Sequence, residues 1–194
     1  MAYFEKAYKI TMKIEGRYNN DPNDAGGETY KGISRVYHPG WDGWLLIDLY
    51  KKVSSFPAIL DSDTKLQQMV HLFYKQTFWD VNRLDEIKSQ PIAEELFDTG
   101  VNMGYRRACK YLQKALNYLN RNGKLYRDLV VDGIIGQKTF NAFNKILSEA
   151  GGENLIYKML NVLQAMHYMD YMGKSTTQEK YARGWFTRVD FIKK

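Results

Sequence analysis

Apolar side chains recur at three- and four-residue intervals along most of this chain, the period of helices with one buried face. Phe4, Ala7, Tyr8, Thr11 and Met12 predict a helix over 3–15, with Gly16 as its stop. A turn-rich run follows over 17–35, with turns at Asn19-Asn20-Asp21-Pro22 and Gly26-Gly27 and a brief strand within Tyr30–Tyr37. A short helix is expected over 45–53, with Trp41 and Trp44 as core. Thr64-Lys65-Leu66-Gln67 has capping-box form and opens a helix facing inward through Leu66, Met69, Val70, Phe73 and Thr77. Pro91 suits the first position of the next helix.

The cleanest periodicity runs from Tyr105 to Leu119, through Ala108, Tyr111, Leu112, Ala115 and Leu116, and Asn122-Gly123 ends it. After the turn Val131-Asp132-Gly133 a helix runs through Phe140, Phe143 and Leu147 to the break at Gly151-Gly152. Leu155, Met159, Val162, Leu163, Met166 and Tyr168 predict a long, mostly buried helix to Gly173, its methionines core filler. A polar loop over 174–180 and a short last helix over 181–192 complete the chain. The fold class is therefore mainly α, with one small hairpin in the N-terminal third.

With 194 residues the chain can bury a substantial core. Its 28 Lys and Arg exceed its 22 Asp and Glu, leaving a formal charge of +6. That excess draws it toward polyanions such as nucleic acid, an anionic membrane face or a cell wall. No cluster of base-reading side chains falls on one helix, so a nucleic-acid partner is not expected. The N-terminus has no apolar signal core and no stretch is long and apolar enough to span a bilayer, so neither a secretory signal nor an integral membrane segment is expected. Cys109 is the single cysteine; on an apolar helical face it reads as buried and inert.

Candidate chemistry concentrates in the stretch 13–34, where Glu15, Asp21, Asp24 and Glu28 crowd a run of Gly, Asn and Pro. His38, His71 and His167 lack metal-ligand spacing, and the Asp21–Gly26 run lacks the later ligands of a calcium loop, so neither metal nor cofactor is expected. No nucleophile elbow or phosphate-binding loop is present. Carboxylate chemistry remains. Glu15, at the C-terminal end of a helix, feels the negative pole of the macrodipole, which raises its pKa as a general acid requires. Asp24 or Asp21, among turn amides and water, suits an ionised partner.

Glu15-Gly16-Arg17-Tyr18, Asn20-Asp21-Pro22, Asp24, Gly26-Gly27-Glu28-Thr29 and Lys31-Gly32-Ile33-Ser34 together resemble the N-terminal motif of the N-acetylmuramidases of glycoside hydrolase family 108. Leu96-Phe97-Asp98 through Val101-Asn102-Met103-Gly104 resembles that family's next segment. Leu112–Leu116 with Val131–Thr139, and Arg183–Val189, resemble its C-terminal peptidoglycan-binding region. Arg17 stands where the family has Gly, and Ser34 where it has Thr; a cation at 17 would lower the pKa of a neighbouring acid. The eight residues between Glu15 and Asp24 are also similar to the spacing in phage-type lysozymes, although Thr29 falls one position early.

The resemblance implies a lysozyme-like helical fold, with a muramidase catalytic region over 1–105 and a peptidoglycan-binding helical region over 106–194 packed as one compact unit. It implies cleavage of the β-1,4 bond between N-acetylmuramic acid and N-acetylglucosamine. Glu15 would be the acid, Asp24 or Asp21 the second carboxylate, and Thr29 the holder of a water. Tyr18, Asp21 and Asn102 would touch substrate. A non-catalytic wall-binding or secretion-assisting module on the same fold is the alternative. A monomer is expected, made without a signal peptide and acting at the wall or periplasm after release by another route.

Overall fold

The computed structural model describes residues 1–13, 16–21 and 27–190. Glu15 and Asp24, two of the residues expected to carry the chemistry, lie outside them, as do most of the Asp21–Gly26 run and the Gly26 half of the expected Gly26-Gly27 turn. The described chain is mainly α-helical with one three-stranded antiparallel sheet. It divides into two compact units, Tyr8–Gln76 and Met1–Ala7 with Thr77–Lys194. Helix α1 (Phe4–Thr11) contributes to both and is shorter than the periodicity predicts.

In the Tyr8–Gln76 unit the sheet is built from three two-residue strands, β1 (Tyr18–Asn19), β2 (Thr29–Tyr30) and β3 (Ile33–Ser34). Tyr30 pairs with Ile33 across Lys31 and Gly32, whose φ angles are +46° and +78°. Two central residues at positive φ match the twist of a hairpin. The tight turn therefore sits at Lys31-Gly32. Tyr74 holds it by donating its hydroxyl to the Lys31 carbonyl (2.7 Å).

Helices α2 (Gly43–Tyr50), α3 (Ile59–Ser62) and α4 (Thr64–Tyr74) complete this unit. Asp63, not Thr64, is the N-cap of α4, accepting the Leu66 N–H at 2.9 Å. Tyr30, Ile33, Trp44, Ile47, Leu60, Leu66, Val70 and Tyr74 form its core. Trp44 is buried as expected, and Trp41 meets it edge to face from a partly exposed position.

The other unit is a helical assembly. Ser89 caps α5 (Gln90–Met103), with Pro91 in its first turn, and α6 covers Tyr105–Leu119 as the sequence predicts. These pack with α7 (Gln137–Leu147) and α8 (Gly152–Lys174), and α9 (Ala182–Phe186) lies on α8. A Cβ at Gly152 would run into the Ile146 carbonyl, so only glycine lets α7 and α8 join so closely. Cys109 is buried, donates its thiol to Asn82 Oδ1 (2.9 Å) and is pushed up to about 12 by burial, which makes it a poor thiolate.

Helix α8 differs from its reading. Its buried face carries Ile156, Tyr157, Leu160, Asn161, Gln164 and Tyr168. Met166 and Met169 are 54% and 61% exposed, so they are not core filler. The polar loop expected over 174–180 includes a 3₁₀ turn, Thr176–Tyr181, and the last helix is shorter than predicted.

Candidate active site

The sheet and α3–α4 place a groove of about 780 Å³ within the Tyr8–Gln76 unit. Gly16 and Arg17, which follow Glu15 in sequence, line it together with Lys31, Asp61, Gln67 and His71. Each side chain arrives for a local reason. The tight turn at Lys31-Gly32 aims the Lys31 ammonium at Gln67 Oε1 (2.5 Å) and at Asp61 (3.9 Å). Gln67, in the first turn of α4, donates to the Tyr30 hydroxyl (2.8 Å) and the Leu60 carbonyl (2.7 Å). Burial pushes the Tyr30 phenol up to about 12, so it stays protonated and donates in turn. Arg17, whose side chain is 88% exposed, pairs with Asp61 at 3.6 Å. Tyr8 and His71 meet edge to face at 4.9 Å on the α1–α4 side.

The arrangement is an open trough of amide, ammonium, guanidinium and carboxylate groups against aromatic edges. Such a lining suits a polyhydroxylated ligand, which needs donors, acceptors and flat apolar contact together. Arg17 is turned to a carboxylate of the groove, which offsets its charge locally.

The described carboxylates of this unit sort by environment. Glu28 accepts from Lys51 (2.7 Å), Arg35 (2.8 Å) and Tyr18 (3.0 Å). Burial raises its pKa, but those three donors outweigh it and hold the carboxyl below its ordinary value. Asp48 is depressed further by the bidentate Arg35 fork and by Lys51. Both are structural ion pairs. Asp61 alone among the described carboxylates lines the groove.

Tyr18 and Thr29 lie on adjoining strands, in a register that sets Tyr18 against Tyr30 and Asn19 against Thr29. Tyr18 packs on Phe56, and the Thr29 hydroxyl donates to the Gly27 carbonyl (3.1 Å). Asp21 is exposed just beyond β1. Asn102 belongs to the other unit, where it accepts from the Tyr168 hydroxyl (3.0 Å) in a pocket of about 480 Å³ shared with Arg107, His167 and Trp185. Neither Asp61 nor Gln67 stands out in the sequence as a site residue. Asp61 lies within the short helix α3 and Gln67 reads in sequence as the last member of a capping box, so only the fold reveals their place in the groove. Among the described residues no group of three His, Cys, Asp or Glu side chains could hold a metal ion, and no helix is long and apolar enough to cross a membrane.

A helical protein with a small sheet and an open polar trough, lined by the residues that follow a motif glutamate in sequence, has the make-up of a glycan-cleaving enzyme. The chain belongs to glycosyl hydrolase family 108, whose model, "Glycosyl hydrolase 108", matches residues 8–104. A second model, "Predicted Peptidoglycan domain", matches residues 107–190. The protein is thus a peptidoglycan hydrolase of the N-acetylmuramidase type. No curated protein matches the chain. In fold it is similar to a solved structure described as "Structure of Brucella abortus SagA", at 23% identity over 96% of this chain and 88% of that one, with a TM-score of 0.60.

Proposed function

We propose that Glu15 is the general acid of this muramidase. It protonates the oxygen of the β-1,4 bond between N-acetylmuramic acid and N-acetylglucosamine as that bond breaks. Asp24, or Asp21 in its place, stabilises the positive charge that develops on the sugar ring or takes a proton from the attacking water. Thr29 orients that water. Tyr18 and Asn102 contact substrate. Residues 1–105 carry the catalysis and 106–194 the attachment to the wall.

One observation supports this reading above the others: the residues next to Glu15 in the chain line an open trough of hydrogen-bonding groups. The net positive charge adds long-range attraction to an anionic wall polymer, an attraction that salt weakens. The place of action is then the cell wall. Mass analysis of the products from digested peptidoglycan tests the reading. Fragments with N-acetylmuramic acid at the new reducing end are expected. Fragments with N-acetylglucosamine there, or intact glycan, would contradict it.

A further inference from the structure

The run between α6 and α7 has little regular structure, yet side chains pin it. Asn117 accepts the Leu129 N–H (2.8 Å) and donates to the Leu129 carbonyl (2.9 Å), as a neighbouring strand would. Asn120 donates to the Asp128 carboxylate and accepts the Gly123 N–H (2.9 Å). The Tyr126 hydroxyl donates to the Leu116 carbonyl (2.7 Å). A run held this way is ordered before any ligand arrives, so little ordering entropy is lost on binding.

Between this run and α7 lies a groove of about 540 Å³. Leu125, Leu129 and Ala142 give it apolar surface, and Arg127, Lys138 and Lys145 give it positive charge. Asp128 is the one acidic side chain lining it, and Asn120 holds that carboxylate. Lys145 is paired with Glu149 (3.1 Å). Among the described residues, neither Arg127 nor Lys138 has an ion-pair partner. Val130, at the rim, is 78% exposed. Its backbone N–H and carbonyl have no hydrogen-bond partner among the described residues.

Unpaired cations over an apolar floor, beside an open backbone edge, fit an extended peptide with free carboxylates. They do not fit a neutral sugar, which seeks an exposed aromatic face; the one aromatic ring here, Tyr126, turns its hydroxyl inward. We propose that this groove binds the carboxylate-bearing peptide stems of the wall polymer. The assignment rests on the reading of the chain as a peptidoglycan hydrolase. The cations take stem carboxylates and the apolar floor takes alanyl methyl groups.

Calorimetric titration of the full chain with a synthetic stem tetrapeptide tests this. The comparison ligand is the same peptide with its carboxylates amidated. Binding of the free peptide is expected, and amidation should weaken it ~10-fold or more. Lys138→Glu and Arg127→Glu should each weaken it similarly, and Lys138→Arg should retain it. Thermal melts of the variants confirm that they fold. No binding up to millimolar peptide, equal binding of the amidated peptide, or binding untouched by Lys138→Glu would overturn the proposal. Reducing ends released from purified walls are measured separately. Their absence with peptide binding intact would overturn the hydrolase reading and leave this site standing.

Discussion

Arg188 places Nη1 2.5 Å from Oδ1 of Asp98, with its side chain only 7% exposed. The pair fastens the segment after α9 onto α5. Burying a guanidinium and a carboxylate together gains little net stability, but stranding one of them is costly. Arg188→Met should therefore destabilise the protein by about 3–5 kcal/mol. Adding Asp98→Asn should restore part of that loss. Equilibrium urea unfolding of the two variants checks it.

Glu95 lies one helical turn before Asp98 on α5 and is buried. Burial first, and the negative charge of Asp98 next, push its carboxyl up to about 8 from the usual 4.5. The folded protein therefore holds this proton at pH values where the unfolded chain has lost it. Stability from this group is fully present below about 4.5, falls as pH rises, and levels off above about 8. The slope is at most about 1.4 kcal/mol per pH unit for one proton. Glu95→Gln should flatten this decline, as read by unfolding midpoints across the window.

Glu28 titrates in the opposite sense. Its pKa lies below the ordinary value, so its stabilisation is present at neutral pH and is lost as pH falls through the lowered value. Glu28→Gln removes the more buried carboxylate from Lys51 and Arg35 and leaves Asp48 as their remaining partner. The expected cost is about 1.5–3 kcal/mol at neutral pH, shrinking in acid. Thermal denaturation at two pH values measures both parts.

The face of α8 can be tested directly. Ile156→Ala should cost about 2–5 kcal/mol, whereas Met166→Gln should change stability by no more than about 0.5 kcal/mol. The reverse ordering would restore the face that periodicity predicts.

That helix explains where sequence reading stops. Helix α6 was legible to its ends because its buried positions are almost all apolar and its exposed ones polar. In α8 the buried face includes Asn161 and Gln164, and the exposed side carries Leu155, Val162 and Met166. The Asn161 and Gln164 side chains are engaged by Asp190, Tyr157 and Thr99. A hydrophobic pattern cannot see a core that is partly polar. The hairpin turn was missed at Lys31-Gly32 because Gly26-Gly27 carries a stronger turn signal, while Lys at positive φ carries almost none. In the trough, Gly16 and Arg17 were legible through their motif, whereas Asp61, Gln67 and His71 come from elements joined only by folding. Glu15 and Asp24 stand on the motif alone.

Glu15 carries the proposed proton transfer, and Glu15→Gln tests that role with one heavy atom changed. Release of reducing sugar from purified walls, measured at equal protein with an unchanged unfolding midpoint, should fall ~100-fold or more, the scale of a lost general acid. Release at the wild-type rate would contradict the assignment of that residue as the proton donor.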